Sequence, residues 1–203
     1  MPSGIFGSGG EWGRDLRTLG GAAAWGHFPH SLNLAHSPVK AMITGQQLRA
    51  EFLNPAMKHY FDMKLAPLSG EEVDVRIEET LKFLNMAVHC RGGIPVSEEI
   101  DEVWHYWILE TLEYEKLCSK LTGEKMIHHS ANNYLEYTDK ELKILRVSLE
   151  DGITILLSYV QNYGPFEPDR ACYWRFAKAI MERQNWDTAA LNQWLASALQ
   201  PAG

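Results

Sequence analysis

The sequence predicts an all-α protein, a compact helical bundle of about six helices that forms a single domain over residues 41–203. Three observations predict it. From Met42 onward, apolar residues recur three and four apart. Cap-forming residues open most of these runs, and no stretch alternates apolar with polar residues as a half-buried strand would. There is no internal repeat to suggest a solenoid. With 203 residues, 45% of them apolar and 22% charged, the chain can bury one sizeable core, and a second full domain is not expected.

The elements follow in order. Half of the sixteen glycines lie between Gly4 and Gly26, and the same region carries His27, His30 and His36 without sustained periodicity. Residues 1–40 are therefore expected to be a poorly ordered Gly-rich segment, with Met42 a candidate for the true start. Gln46–Leu53 reads as a helix stopped before Pro55, followed by an apolar and aromatic patch of Met57, Tyr60, Phe61 and Leu65. Ser69-Gly70-Glu71-Glu72 has the form of a capping box, and Ile77, Leu81, Leu84 and Val88 then line one face of a helix that ends at Arg91-Gly92-Gly93. Ser97, with Glu98 and Glu99 in the first turn, opens one long helix through Leu121. Thr138 caps a further helix, in which Asp151-Gly152 predicts a kink, and Asn162-Tyr163-Gly164-Pro165 ends it. A helix from Pro168 or Asp169 through Arg183 and a last one capped by Asp187 complete the chain.

The long helix carries the chemistry. Asp101 and His105 are four apart, so they share one helical face about a turn from each other, as metal ligands or an acid–histidine couple would. At about 100° per residue they fall on the border of the apolar arc, beside Ile108 and Leu112, as on the wall of a cleft. Gly123 ends the helix, and His128 and His129 follow a short return that closes on the same face. Asp101, His105, His128 and His129 would supply mixed nitrogen and oxygen donors suited to zinc or to a non-haem ferrous or manganese ion. Asp101 would be a ligand or the acceptor that fixes the His105 tautomer. Trp104, Ile108, Tyr114 and Cys118 are the expected pocket wall, although aromatic residues at this spacing are more often core. The bland alternative is that the carboxylate–histidine pair makes only a local hydrogen bond.

Residues 83–174 also resemble the glycine-rich domain-containing-like family. The resemblance rests on the Pro95–Ser97 entry, Asp101-Glu102-Val103-Trp104-His105, Ile108-Leu109, Thr111, Tyr114, Cys118, Gly123, His128-His129, Tyr163-Gly164 and Cys172-Tyr173-Trp174. Trp107 stands where related chains carry a second polar residue, which counts against any mechanism needing two helical histidines two apart. No long glycine-rich tail follows Trp174.

Composition narrows the function. Net charge is −7 and no dense Lys/Arg cluster occurs, which disfavours nucleic acid and anionic membranes as partners. No apolar run approaches a membrane span. Cys90, Cys118 and Cys172 form no CxxC pair, as expected of reduced, mostly buried thiols in the cytoplasm. P-loop, GxGxxG, GxSxG and HExxH signatures are absent. Two functions fit these observations. One is a small metal-dependent hydrolase or oxygenase acting on a small molecule or peptide, with Asp101 and His105 as its catalytic residues. The other is a non-catalytic helical module that binds a protein partner, in which the histidines are structural.

Overall fold

The structure, a computed structural model, describes residues 44–87, 94–122, 126–128 and 149–199. All of these lie in the unit Leu34–Gly203; residues 1–33, the other unit, fall outside them together with the N-terminal histidines. Eight α-helices, one 3-10 turn and no strand are found among the described residues. The helices are α1 (Gly45–Phe52), α2 (Pro55–Lys64), α3 (Gly70–Ala87), α4 (Glu98–Leu109), α5 (Thr111–Thr122), α6 (Leu149–Tyr163), α7 (Arg175–Gln184) and α8 (Thr188–Leu199), with the 3-10 turn at Ala171–Tyr173.

Local chemistry explains most of the helix starts. Thr44 and Gln47 form a reciprocal capping box at α1, the Thr44 hydroxyl accepting from the Gln47 amide at 3.1 Å and the Gln47 side chain accepting from the Thr44 amide at 2.7 Å. Asn54 caps α2 by accepting from the Met57 amide, and Pro55 occupies the first helical position, where its missing N–H costs nothing. This patch thus forms a separate helix. Ser69 accepts from the Glu72 amide at α3, while the Glu72 carboxylate turns to Arg76, so only half of the expected box is made. Ser97 precedes α4 without a side-chain cap. Its amide donates instead to the Tyr173 carbonyl at 2.8 Å, in an isolated antiparallel bridge between Val96 and Trp174.

The expected long helix from Ser97 to Leu121 is broken at Glu110. There the backbone leaves helical geometry (φ −90°, ψ 69°), and α4 and α5 meet at a corner. No proline or glycine marks this point; tertiary contacts do. In a straight helix Trp104 and Tyr114 would be separated by about 15 Å of rise. At the corner the Trp104 indole instead donates to the Tyr114 hydroxyl at 3.0 Å, and Asn54 at the start of α2 reaches Glu113 at 2.6 Å. Together with α2, this break raises the helix count above six.

The helix expected from residue 168 or 169 begins only at Arg175. The 3-10 turn and Trp174 come first, because Trp174 is drawn into the core and its neighbours pair with residues 95–97. Asp151-Gly152, where a kink is expected, lies in the first turn of α6, and the chain just before Leu149 falls outside the described residues. Gly152 lets the Phe176 ring approach, since a Cβ at that position would lie 2.6 Å from the ring. Gly164, at φ 85°, takes the left-handed conformation that ends α6. Thr138, Leu142 and Leu145 lie outside the described residues.

α3 is the hub. It packs against α1, α2, α4 and α6, and Ile77–Leu84 is buried at every position. The pairing expected between this helix and the one carrying Asp101 and His105 is present as α3 against α4. Val103, Trp104 and Trp107 face inward there, with the Trp104 ring edge-on to Phe83 and Trp107 edge-on to Phe61 of α2.

Candidate functional site

Two polar constellations stand out, one expected from the sequence and one not. The expected one is the α4–α5 corner. Asp101 and His105 meet as predicted: the His105 Nδ1 lies 2.7 Å from the Asp101 backbone carbonyl and 3.3 Å from its carboxylate. A carbonyl oxygen only accepts, so Nδ1 carries the proton and, in the neutral ring, Nε2 is the basic nitrogen. Both side chains are close to half exposed, at 45% for Asp101 and 49% for His105. The ring is therefore within reach of solvent.

The pocket-wall residues lie deeper. Trp104, Tyr114 and Cys118 are buried, and Ile108 is half-buried. Burial pushes the Tyr114 phenol well above its ordinary range; the Trp104 hydrogen bond works against that shift, and neighbouring Cys118 adds to it. The neutral hydroxyl accepts from Trp104 and donates to the Ile127 carbonyl at 2.5 Å. Through this one oxygen, α4, α5 and the returning segment at residues 126–128 are tied together. His128 is exposed immediately after the tether. His129 lies outside the described residues, as do His89 and Cys90.

Among the described residues, no three His, Cys, Asp or Glu side chains gather closely enough to hold a metal ion. With Asp101 engaged at Nδ1, its geometry is that of a group orienting the imidazole. His105 and His128 are then the only histidines of the expected donor set that the described residues include. Cys172 departs from the expectation of buried thiols. It is exposed, whereas Cys118 is buried, and neither is in a disulfide.

The second constellation went unread in the sequence. Glu79, fully buried at 0% exposure, accepts from Lys82 at 2.7 Å, from the Trp174 indole at 2.9 Å and from the Tyr159 hydroxyl at 3.2 Å, with Arg170 at 3.3 Å. Glu78 beside it is bound by Arg170 and by Arg49 of α1, the latter at 2.7 Å. Arg49 continues to Asp74 at 2.5 Å. Lys82 also donates to the Tyr159 hydroxyl at 2.8 Å and lies over its ring.

Burial works against the Arg170 charge, but the carboxylates of Glu78, Glu79 and Glu167 outweigh it and hold its pKa above the ordinary value. Burial, then the Glu79 carboxylate, pushes the Tyr159 phenol far up. Gly45 completes the arrangement, since a Cβ there would fall 2.5 Å from the Glu78 carboxylate. The sequence trace of this network is slight. Opposite charges three apart, as at Glu79 and Lys82, are ordinary on a solvated helix face. The Glu78 and Glu79 carboxylates are satisfied by protein donors, which makes the network a structural link between α1, α3, α6 and the 3-10 turn.

Comparisons of the chain with protein-family models, with curated proteins and with solved structures give no match.

Proposed function

We propose that the protein is a small metal-dependent enzyme of the hydrolase or oxygenase type, with its site at the α4–α5 corner. His105 and the following His128–His129 pair are the nitrogen donors, and Asp101 sets the His105 tautomer. The observation that carries this reading is the Tyr114 tether: its hydroxyl holds the Ile127 carbonyl and so returns the residue before His128 to the helix pair that bears His105. The Asp101 contact at Nδ1 adds support, because metal-ligating histidines ordinarily donate their other ring nitrogen to a carbonyl or carboxylate. Such a donor set suits zinc or a ferrous or manganese ion. When bound, the ion would supply Lewis-acid chemistry or a site for dioxygen. The substrate is a small molecule or peptide. Cys118 and Cys172 stand outside disulfides, in keeping with a reducing compartment, the cytoplasm.

The test is the metal content of protein purified without a metal-binding tag. The wild type is expected to carry one equivalent of a transition metal and His105→Ala to lose it, with helical circular dichroism unchanged. A wild type that takes up neither zinc, ferrous iron nor manganese under reducing conditions overturns the reading.

A second reading, a non-catalytic module for a protein partner, is favoured by Leu109 and Leu112. These two leucines flank the corner at 67% and 62% exposure.

A further inference from the structure

The outer side of α4 continues beyond His105 into an apolar surface that the metal reading leaves unused. Glu102, Tyr106 and Leu109 stand at i, i+4 and i+7, one ridge of the helix, and Leu112, just past the break at Glu110, is also exposed. The ridge joins α2 laterally. The Tyr106 ring meets Tyr60 edge to face at 6.3 Å, and Met63, one turn after Tyr60, is 67% exposed. A helix corner that leaves two leucines in water, next to a tyrosine pair and an exposed methionine, is larger than the isolated apolar residues normal on a surface.

Charge identifies the occupant. From Glu98 to Glu115 seven carboxylates recur with no lysine or arginine within the stretch. Three cations from outside it form ion pairs with them among the described residues, Arg175 with Glu98, Arg76 with Glu102 and Lys116 with Glu113. Glu102 accepts from the Tyr106 hydroxyl at 3.2 Å at the edge of the patch. The Glu110 carboxylate acts on Tyr60, adding to burial in raising its phenol. Lys64, over both tyrosine rings, is the one cation placed on these rings among the described residues. An acidic frame repels a second copy of the same face and an anionic membrane, and attracts cations.

We infer that the α4 ridge and the adjoining turn of α2 form a docking surface for a basic amphipathic helix of a partner protein, whose apolar residues would cover Leu109, Leu112 and Met63. This is helix-on-ridge recognition with complementary charge at the rim. It does not depend on a metal at His105.

The probe is a fluorescent synthetic peptide of about 18 residues with a leucine face and a lysine face, titrated into the full chain and followed by anisotropy. Saturable binding is expected, and Leu109→Ser/Leu112→Ser is expected to weaken it about tenfold or more. Both leucines are exposed, so the double variant should keep the wild-type circular dichroism and melting temperature; Met63→Ser gives an independent arm. Glu102→Lys should weaken binding and flatten its salt dependence. Three results would overturn the inference. The first is equal binding by wild type and double variant; the second is equal binding of a lysine–serine peptide lacking the apolar face. The third is sedimentation showing a wild-type dimer that the leucine substitutions dissociate, because the occupant would then be a second copy. Metal content measured on the same variants keeps this outcome separate from the fate of the His105 site.

Discussion

The two polar regions of this protein use the same residue chemistry in opposite ways. Around Glu79, acids and bases are sealed in the core, each carboxylate held by donors from distant parts of the chain. At Asp101 and His105 an acid–base pair sits close to half in water and meets across one turn of a single helix. Removing Glu79 strands Lys82, which is 5% exposed, and takes a carboxylate from Arg170, which is 12% exposed. The exposed pair, by contrast, is replaced by water at little cost. The buried set therefore serves the fold, and the exposed set is the one the proposed function uses.

Stability measurements can break this contrast. The largest effect is expected for Glu79→Ala, which leaves Lys82 and Arg170 without their shared carboxylate; a loss of about 3–5 kcal/mol in urea titrations is predicted. A loss under about 1 kcal/mol would show that water enters the network readily.

Alkaline pH comes next. The folded-state pKa values of Tyr159 and Tyr114 are raised, chiefly by burial. The unfolded chain ionises its tyrosines near pH 10 while the folded chain keeps these two protonated. Their contribution is thus complete below about pH 10 and is lost as pH rises beyond it, by about 1.4 kcal/mol per pH unit for each tyrosine. Tyr159→Phe should make that fall shallower. An unchanged slope would contradict the assignment.

Two further substitutions test the joints of the fold. Gly152→Ala drives a methyl group into the Phe176 ring and should cost about 1–3 kcal/mol, with partial recovery in Gly152→Ala/Phe176→Leu. Tyr114→Phe removes the Trp104 acceptor and the Ile127 tether, for about 1–3 kcal/mol. Under the proposed function it should also weaken metal binding about 10–100-fold. The smallest stability change belongs to His105→Ala, within about 0.5 kcal/mol, because the ring is exposed and alanine favours helix. A melt lowered by several degrees would place His105 with the structural residues and remove the contrast between the two regions.

Much of this architecture was legible in the chain, and the misses share a cause. Helix starts at Ser69 and Asp187 are chemistry between residues three apart, so local sequence determines them; Asn54-Pro55 carries the same signal but reads first as the stop of the preceding helix. The Asp101–His105 pairing is determined in the same way, by helical spacing alone. The break at Glu110 was not legible, because it answers to a Trp104–Tyr114 contact that exists only once the corner has formed. Gly152 reads locally as a weak point in a helix, yet its use is set by Phe176, twenty-four residues later.

Glu78, Glu79 and Lys82 mark the boundary most clearly. By itself the sequence determined that these residues lie on α3, and it determined the apolar stripe of Ile77, Leu81 and Leu84 on the same helix. Whether their own face would be wet or dry depended on Arg49, Tyr159, Arg170 and Trp174 arriving from other elements. Only the tertiary structure decided that, because burying a charge is tolerable only when partners from elsewhere in the chain replace its water.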